Sequence, residues 1–365
     1  MTEARIGIIG TGWWATDTHI PALLAHPKAR LVALCDSDPA RLQAAADRYG
    51  QGENGQGEKE GANNSTDTVG VYTDVHQMLA EATLDGVIVV SSNATHYAVT
   101  KACLQAGVHV MLEKPMTLHA AEAQELVELS AQAGKELIIG YPFNFAPYAV
   151  RARAVIAGGE LGAIQYVDLI YSSFMTPLFT GEGFAGRAFN VHGPDQYTKP
   201  ALLGGGHGQV QITHGAGLLF YVTGLQPQRV SALMRNHGLA VDLINVMTVQ
   251  FGQDAVGTAG GSGNYRGLVF RLLVGCENGW IDIDAQKGVG LIHHDGHTEE
   301  IRYDAQAAAH PLPYATAHNL VDVITGDATN GSSAEVGWRA VELLEAAYRS
   351  ANQDGAFVDV SDLYR

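Results

Sequence analysis

Cysteine is scarce. The 365 residues hold three, Cys35, Cys103 and Cys276, each alone in an apolar run. They form no disulfide framework and no C-x-x-C metal pattern, so a reducing compartment is expected. Basic residues are also few: 22 Lys and Arg stand against 38 Asp and Glu, a net charge of −16. Nucleic acid and anionic membrane surfaces both demand clustered cations, so neither is an expected partner. No apolar run reaches the ~18 residues that a membrane-crossing helix needs. The segment Met1 to Gly10 lacks the layout of a secretory leader, since Glu3 precedes Arg5 and the apolar run after it is short. A cytoplasmic protein is expected. What the chain has in quantity is apolar side chain, 46%. That is enough for a sizeable core, and at roughly 150 residues per domain the length suggests two domains or three.

The first part alternates short apolar runs with helical patterns. Ile6 to Ile9, Leu31 to Cys35, Val71-Tyr72, Gly86 to Val90, Val108 to Leu112 and Leu137 to Ile139 are of strand type. Helical patterns fill Pro39–Tyr49, Val75–Ala82, Thr95–Ala106 and Leu118–Ala133. Strands apolar throughout and separated by helices predict a doubly wound parallel α/β sheet of Rossmann type. Asp74 and Thr117 are expected N-caps, and Gly107 and Gly134 expected left-handed helix ends. Gly50 to Thr66, rich in Gly, Asn and Glu, reads as a surface loop, with a lid as the alternative.

After about Asn144 the pattern changes to short strands joined by tight glycine turns, with helices at Pro147–Ile156, 207–223 and Gly337–Ala351. The expectation is a dinucleotide-binding domain over 1–143. Residues 144–365 are expected to form an α+β domain with an open, mostly antiparallel sheet. His293-His294-Asp295-Gly296-His297 has metal-ligand residue types but reads as a polar hairpin turn, and no metal is expected.

Gly10-Thr11-Gly12-Trp13-Trp14-Ala15 is a G-x-G-x-x-A element directly after the first strand. Gly10 suits a tight turn, Gly12 lets backbone N–H groups approach a pyrophosphate, and Ala15 permits close helix–strand packing. Trp13 and Trp14 either wall the cofactor site or pack. Asp36 ends the second strand, where a carboxylate accepts from adenosine ribose hydroxyls; Ser37 and Asp38 follow with no Arg, so NAD is expected over NADP. Glu113-Lys114-Pro115 ends the fifth strand, the edge where such sheets bind ligands, so Lys114 is placed to touch a substrate hydroxyl.

With these stretches, the chain resembles the glucose–fructose oxidoreductase / inositol dehydrogenase (Gfo/Idh/MocA) family. Further matches are Ser91 to His96, Ala106 to Pro115, Gly204 to Gly206 with His214, and Glu345 to Ser350. The resemblance implies that Lys114 lies near the nicotinamide and the reacting hydroxyl, and that Glu113, Ser91, Asn93 and His96 contact the cofactor. It also implies a substrate-facing Asp four residues before His214, but Val210 stands there. On a helix His207, Gln211 and His214 would share one face, with Gly208 and Gly215 beside them suiting ligand approach. Tyr141 and Asn144 are further pocket candidates; the Arg common in the family near this point is missing.

Together these imply an NAD-dependent enzyme that oxidises a secondary hydroxyl of a neutral sugar, glycoside or cyclitol, with glycoside C3 as the narrower expectation. His214 is the expected base and Lys114 its partner or substitute. Two alternatives stay open: an NAD-assisted glycoside hydrolase or lyase, and a non-catalytic NAD- or sugar-sensing regulator. A homo-oligomer, dimer or tetramer, is expected by resemblance.

Overall fold

A computed structural model describes residues 3–50, 68–183 and 195–365. The chain packs as two units, each assembled from three segments. The first comprises Met1–Glu113, Glu125–Gly140 and Pro313–Ala334, the second Lys114–Gln124, Tyr141–Leu312 and Glu335–Arg365. Several crossings thus replace the expected single boundary after residue 143. The expected loop after Gly50 lies outside the described residues.

The first unit holds six parallel strands: β1 (Ala4–Ile9), β2 (Ala29–Cys35), β3 (Gly70–Tyr72), β4 (Gly86–Val89), β5 (His109–Leu112) and β6 (Leu137–Ile139). They pair in the order β3-β2-β1-β4-β5-β6. Ile6, Ile8, Val87 to Val89 and Val110 to Leu112 are buried, as apolar runs covered on both faces require. The helices start where capping chemistry allows. Asp38 accepts from the N–H groups of Ala40 and Arg41, and Asp74 from that of Gln77. Gly107 and Gly134 take the left-handed conformation at helix ends. The strand order reverses between β1 and β4, and in open sheets of this kind ligand crevices form beyond the carboxyl ends at such a point.

One helix of this unit is absent from the sequence reading. Ala315–Thr325 returns after the whole second sheet and buries Ala317, Leu320 and Val321 in the core that contains Ile6, Ile88 and Met111. Its amphipathic pattern does not reveal which sheet it covers.

The second unit carries β7 (Ile164–Phe174), β8 (Pro227–Arg235), β9 (Ile244–Phe251), β10 (Val256–Ser262), β11 (Asn264–Cys276), β12 (Gly279–Asp284), β13 (Val289–His294), β14 (His297–Arg302) and β15 (Val358–Asp359). The order is β14-β13-β12-β11-β7-β10-β9-β8-β15, antiparallel except for β7 beside β10. Asp295 and Gly296, both at positive φ, turn the β13–β14 hairpin. Strand β14 was not read from the sequence, because His-Thr-Glu-Glu-Ile-Arg is polar and its pairing to β13 makes it a strand. Helix Thr213–Thr223 packs on β7, with Gly215 against Leu169. Tyr166 pairs with Val256 across β7 and β10, Leu233 pairs with Val246 across β8 and β9 in register with Ile170 of β7, and all five side chains are exposed.

The helix Ala120–Ala133 also departs from expectation. Thr117 does not cap it. Glu345 accepts from the Ala120 N–H at 2.6 Å, while the Thr117 hydroxyl donates to the His119 carbonyl. A carboxylate arriving from a distant helix supplies the cap.

Candidate active site

In the first unit Gly10 leaves β1 at φ +92°, and a Cβ there would fall 2.6 Å from the Val90 carbonyl oxygen. Gly12 is the opposite case: nothing lies within 4 Å of where its Cβ would be. Open space before the first N–H groups of a helical stretch is a cradle that fits a pyrophosphate. Thr11 is buried, and its N–H and hydroxyl both donate to Asp36 Oδ2. Asp36 ends β2 as expected, but it has a partner the sequence reading overlooked. Arg41, in the first turn of the next helix, folds back and grips both carboxylate oxygens, Nε to Oδ2 at 3.2 Å and Nη2 to Oδ1 at 3.0 Å. Burial alone would raise the Asp36 carboxyl. Hydrogen bonds from Arg41 and from the N–H groups of Asp38 and Thr11 outweigh it and hold the group below the usual carboxylate range.

Beyond β4, Ser91 and Asn93 are half-buried. His96 is buried and its Nε2 bonds the Ser91 carbonyl at 3.1 Å, which fixes this loop. Trp13 meets Trp14 edge-on, ring centroids 5.0 Å apart. Glu113 closes β5, buried, accepting from Trp14 Nε1 at 2.9 Å.

Lys114 falls in the second unit, together with His214. Its Nζ donates to the Val210 carbonyl at 3.2 Å, four residues before His214. Both side chains are half-buried. The expected helix over 207–223 forms, but it widens into a π turn at Gly208–Ile212, in which the Thr213 N–H reaches back to the Gly208 carbonyl. The extra residue shifts the phase, so the three polar side chains do not share one exposure: His207 is fully buried while Gln211 and His214 are half-buried. Gln211 donates to Met175 Sδ at 3.1 Å. The His214 ring is flanked by Phe143, Tyr141 and Tyr171, at centroid distances of 6.0, 6.4 and 6.4 Å.

The remaining candidates are held in the framework. Tyr141 is buried against Gly217, its hydroxyl paired with Thr213 Oγ1 at 3.1 Å, and Asn144 is fully buried. His207 Nδ1 faces Asn245 Oδ1 at 2.9 Å, and Asn245 donates to Asp242. Asn245 therefore presents its oxygen, so His207 Nδ1 carries hydrogen. Burial lowers the pKa of His207, which favours the neutral ring. Asp242 also accepts from the N–H groups of Gly206 and Gly208 and from the Tyr348 hydroxyl. Gly208 and Gly215 do not open onto a ligand as expected. A Cβ at Gly208 would lie 2.5 Å from the Tyr348 hydroxyl, and one at Gly215 would lie 2.8 Å from Leu169.

Residues 4–141 match the model of the oxidoreductase family with an NAD-binding Rossmann fold, and residues 149–282 match the GFO/IDH/MocA C-terminal domain. The chain belongs to the Gfo/Idh/MocA family. Among its relatives, D-glucoside 3-dehydrogenase of Escherichia coli is 30% identical over 202 residues, 55% of this chain and 49% of that protein. Inositol 2-dehydrogenase 1 of Saccharopolyspora erythraea is 29% identical over 194 residues, 51% of this chain and 52% of that protein. The matches thus span about half of these relatives. A levoglucosan dehydrogenase solved with NADH and levoglucosan superposes with a TM-score of 0.77 at 14% identity, covering 98% of this chain and all of that one; this likeness shows the fold. Residues 4–141 are accordingly the family's NAD-binding domain, and the open space at Gly12 and the carboxylate of Asp36 both lie within it. Among the described residues no group of three His, Cys, Asp or Glu side chains comes together for a metal, and no helix is long and apolar enough to cross a membrane.

Arg41, Asp242, Asn245 and Tyr348 were missed at the sequence level. Arg41 was detectable, being one helical turn beyond Asp38. The other three meet the Gly204–Gly208 segment only through tertiary folding.

Proposed function

We propose that this family member oxidises a secondary hydroxyl of a neutral polyhydroxylated compound, a sugar, glycoside or cyclitol, with Lys114 and His214 handling the hydroxyl proton. The observation that carries this reading is the Lys114 bond to the Val210 carbonyl. It brings an amine to the helix that bears an imidazole, within one unit. Bound NAD supplies the hydride acceptor. Lys114 Nζ donates to the hydroxyl oxygen and stabilises the charge that develops on it, while the His214 ring takes the proton. The family Asp is replaced by Val210, and the main-chain carbonyl at that position orients the amine instead. Half-buried Gln211 suits hydroxyl groups, and no Arg clamp for carboxylate or phosphate is found among the site residues. The glucoside and inositol relatives support this substrate class, and the former supports glycoside C3. A homo-oligomer joined through the exposed apolar side chains of β7, β10, β9 and β8 belongs to the same reading; sedimentation at several concentrations tests it.

Turnover is tested with methyl glycosides and myo-inositol, following NADH. The wild type is expected to turn over at least one of them. Lys114→Ala is expected to lose roughly 10²–10⁴-fold, the scale of acid–base catalysis. Unchanged turnover would remove Lys114 from the chemistry, and aglycone release without net NADH would overturn simple dehydrogenation.

A further inference from the structure

Two side chains from one stretch of the first unit converge on one carboxylate oxygen at the end of β5. Glu113 Oε1 receives Trp14 Nε1 at 2.9 Å and His19 Nε2 at 2.8 Å. Trp14 follows the Gly12 cradle by two residues, and His19 closes a wide π turn, Ala15–His19. Gly140, just beyond β6, stands against the same carboxylate; a Cβ there would lie 2.9 Å from Oε1. An indole N–H only donates and an ionised carboxylate only accepts, so His19 Nε2 carries a hydrogen. The other ring nitrogen, Nδ1, is buried and has no hydrogen-bond partner among the described residues. A buried nitrogen left in that state lowers stability, so an apolar side chain would serve packing better than His19 does.

Strand order says which part of the cofactor this carboxylate serves. Asp36 ends β2 on one side of β1, and β4 and β5 lie on the other. With the pyrophosphate at the β1 turn and the adenosine ribose at Asp36, the other half of the dinucleotide runs over the ends of β4 and β5, where Glu113 stands.

We propose that His19, assisted by Trp14, is a positioning residue for NAD. It locks the Glu113 carboxylate as an acceptor for the nicotinamide-ribose half and ties the pyrophosphate turn to the end of β5. His19 acts through Glu113 and does not itself touch the ligand. The proposal rests on NAD binding by this unit and not on the sugar chemistry, so it stands or falls without any substrate.

The test is calorimetric titration of the full chain with NADH and with ADP, which shares the adenosine and the phosphates but lacks the second ribose and the nicotinamide. His19→Ala is expected to weaken NADH roughly tenfold, as loss of a hydrogen bond to a charged group does, and to leave ADP within about twofold. His19→Gln, whose amide N–H still donates, is expected to recover most of the NADH affinity. Equal loss for both ligands, loss for neither, or a His19→Gln variant no better than His19→Ala would overturn the proposal. Should His19→Ala fail to fold, Trp14→Phe removes the companion N–H and keeps a ring. It is expected to show the same split, smaller, and an equal loss there also overturns the proposal.

Discussion

Two glycine-rich segments, Gly10–Ala15 and Gly204–Gly208, look alike on paper and do different work. In the first, the place of a Gly12 side chain is empty to 4 Å, so the missing atom leaves room for something that is not protein. In the second the space is filled. Side chains at Gly205 and Gly206 would run into the Tyr348 hydroxyl and the Asp242 carbonyl, and one at Gly208 would crowd Tyr348 again. Asp242 then binds the freed N–H groups of Gly206 and Gly208. Glycine therefore marks close approach, and only the structure says whether the approaching partner is a ligand or the chain itself.

Alanine substitutions sharpen the contrast, and the largest effect is expected where the space is filled. Gly206→Ala forces a Cβ onto backbone that cannot move without breaking the Asp242 bonds. A loss of about 3–5 kcal/mol in urea unfolding is expected, on the scale of overpacking combined with a broken buried network. Gly12→Ala meets no neighbour, so stability should stay within about 0.5–1 kcal/mol of wild type. Its NADH affinity should still drop by one to two orders of magnitude, since one methyl blocks close approach of a pyrophosphate. A Gly12→Ala variant that unfolds, or a Gly206→Ala variant of full stability, would erase the distinction.

The first unit was legible because its information is local. Each buried strand carries an apolar run, each is followed by a helix, and Gly10, Gly12 and Asp36 stand at fixed points on that repeat. The second unit was legible as a meander, but its site was not. The wide turn at Gly208–Ile212 has no signature in Gly-Gln-Val-Gln-Ile, and it moved His207 out of the exposure expected beside Gln211 and His214. Contacts that decide roles join residues far apart in the chain: Glu113 to His19, Asp242 to Gly206, Glu345 to Ala120. Helix Ala315–Thr325 was invisible as part of the first unit for the same reason, since periodicity shows that a face is buried but not against what.

The last expected effect concerns the charge beside the open turn. Asp36 is held ionised by Arg41 and by the N–H groups of Thr11 and Asp38, with its pKa below the ordinary value. A carboxylate with a depressed folded pKa contributes stability above its unfolded pKa, and that contribution is lost as pH falls through the folded value. Asp36→Asn should therefore destabilise the chain at neutral pH by about 1–3 kcal/mol, the range for hydrogen bonds to a charged group. The gap from wild type should narrow as the solution is acidified below the usual carboxylate range. Urea unfolding of both proteins across that range decides it. No comparable acid-dependent gap is expected for Gly12→Ala, which removes space and leaves the charge in place; a gap that stays constant with pH for Asp36→Asn would mean that Arg41 and the turn hold the side chain by geometry, with its charge contributing nothing.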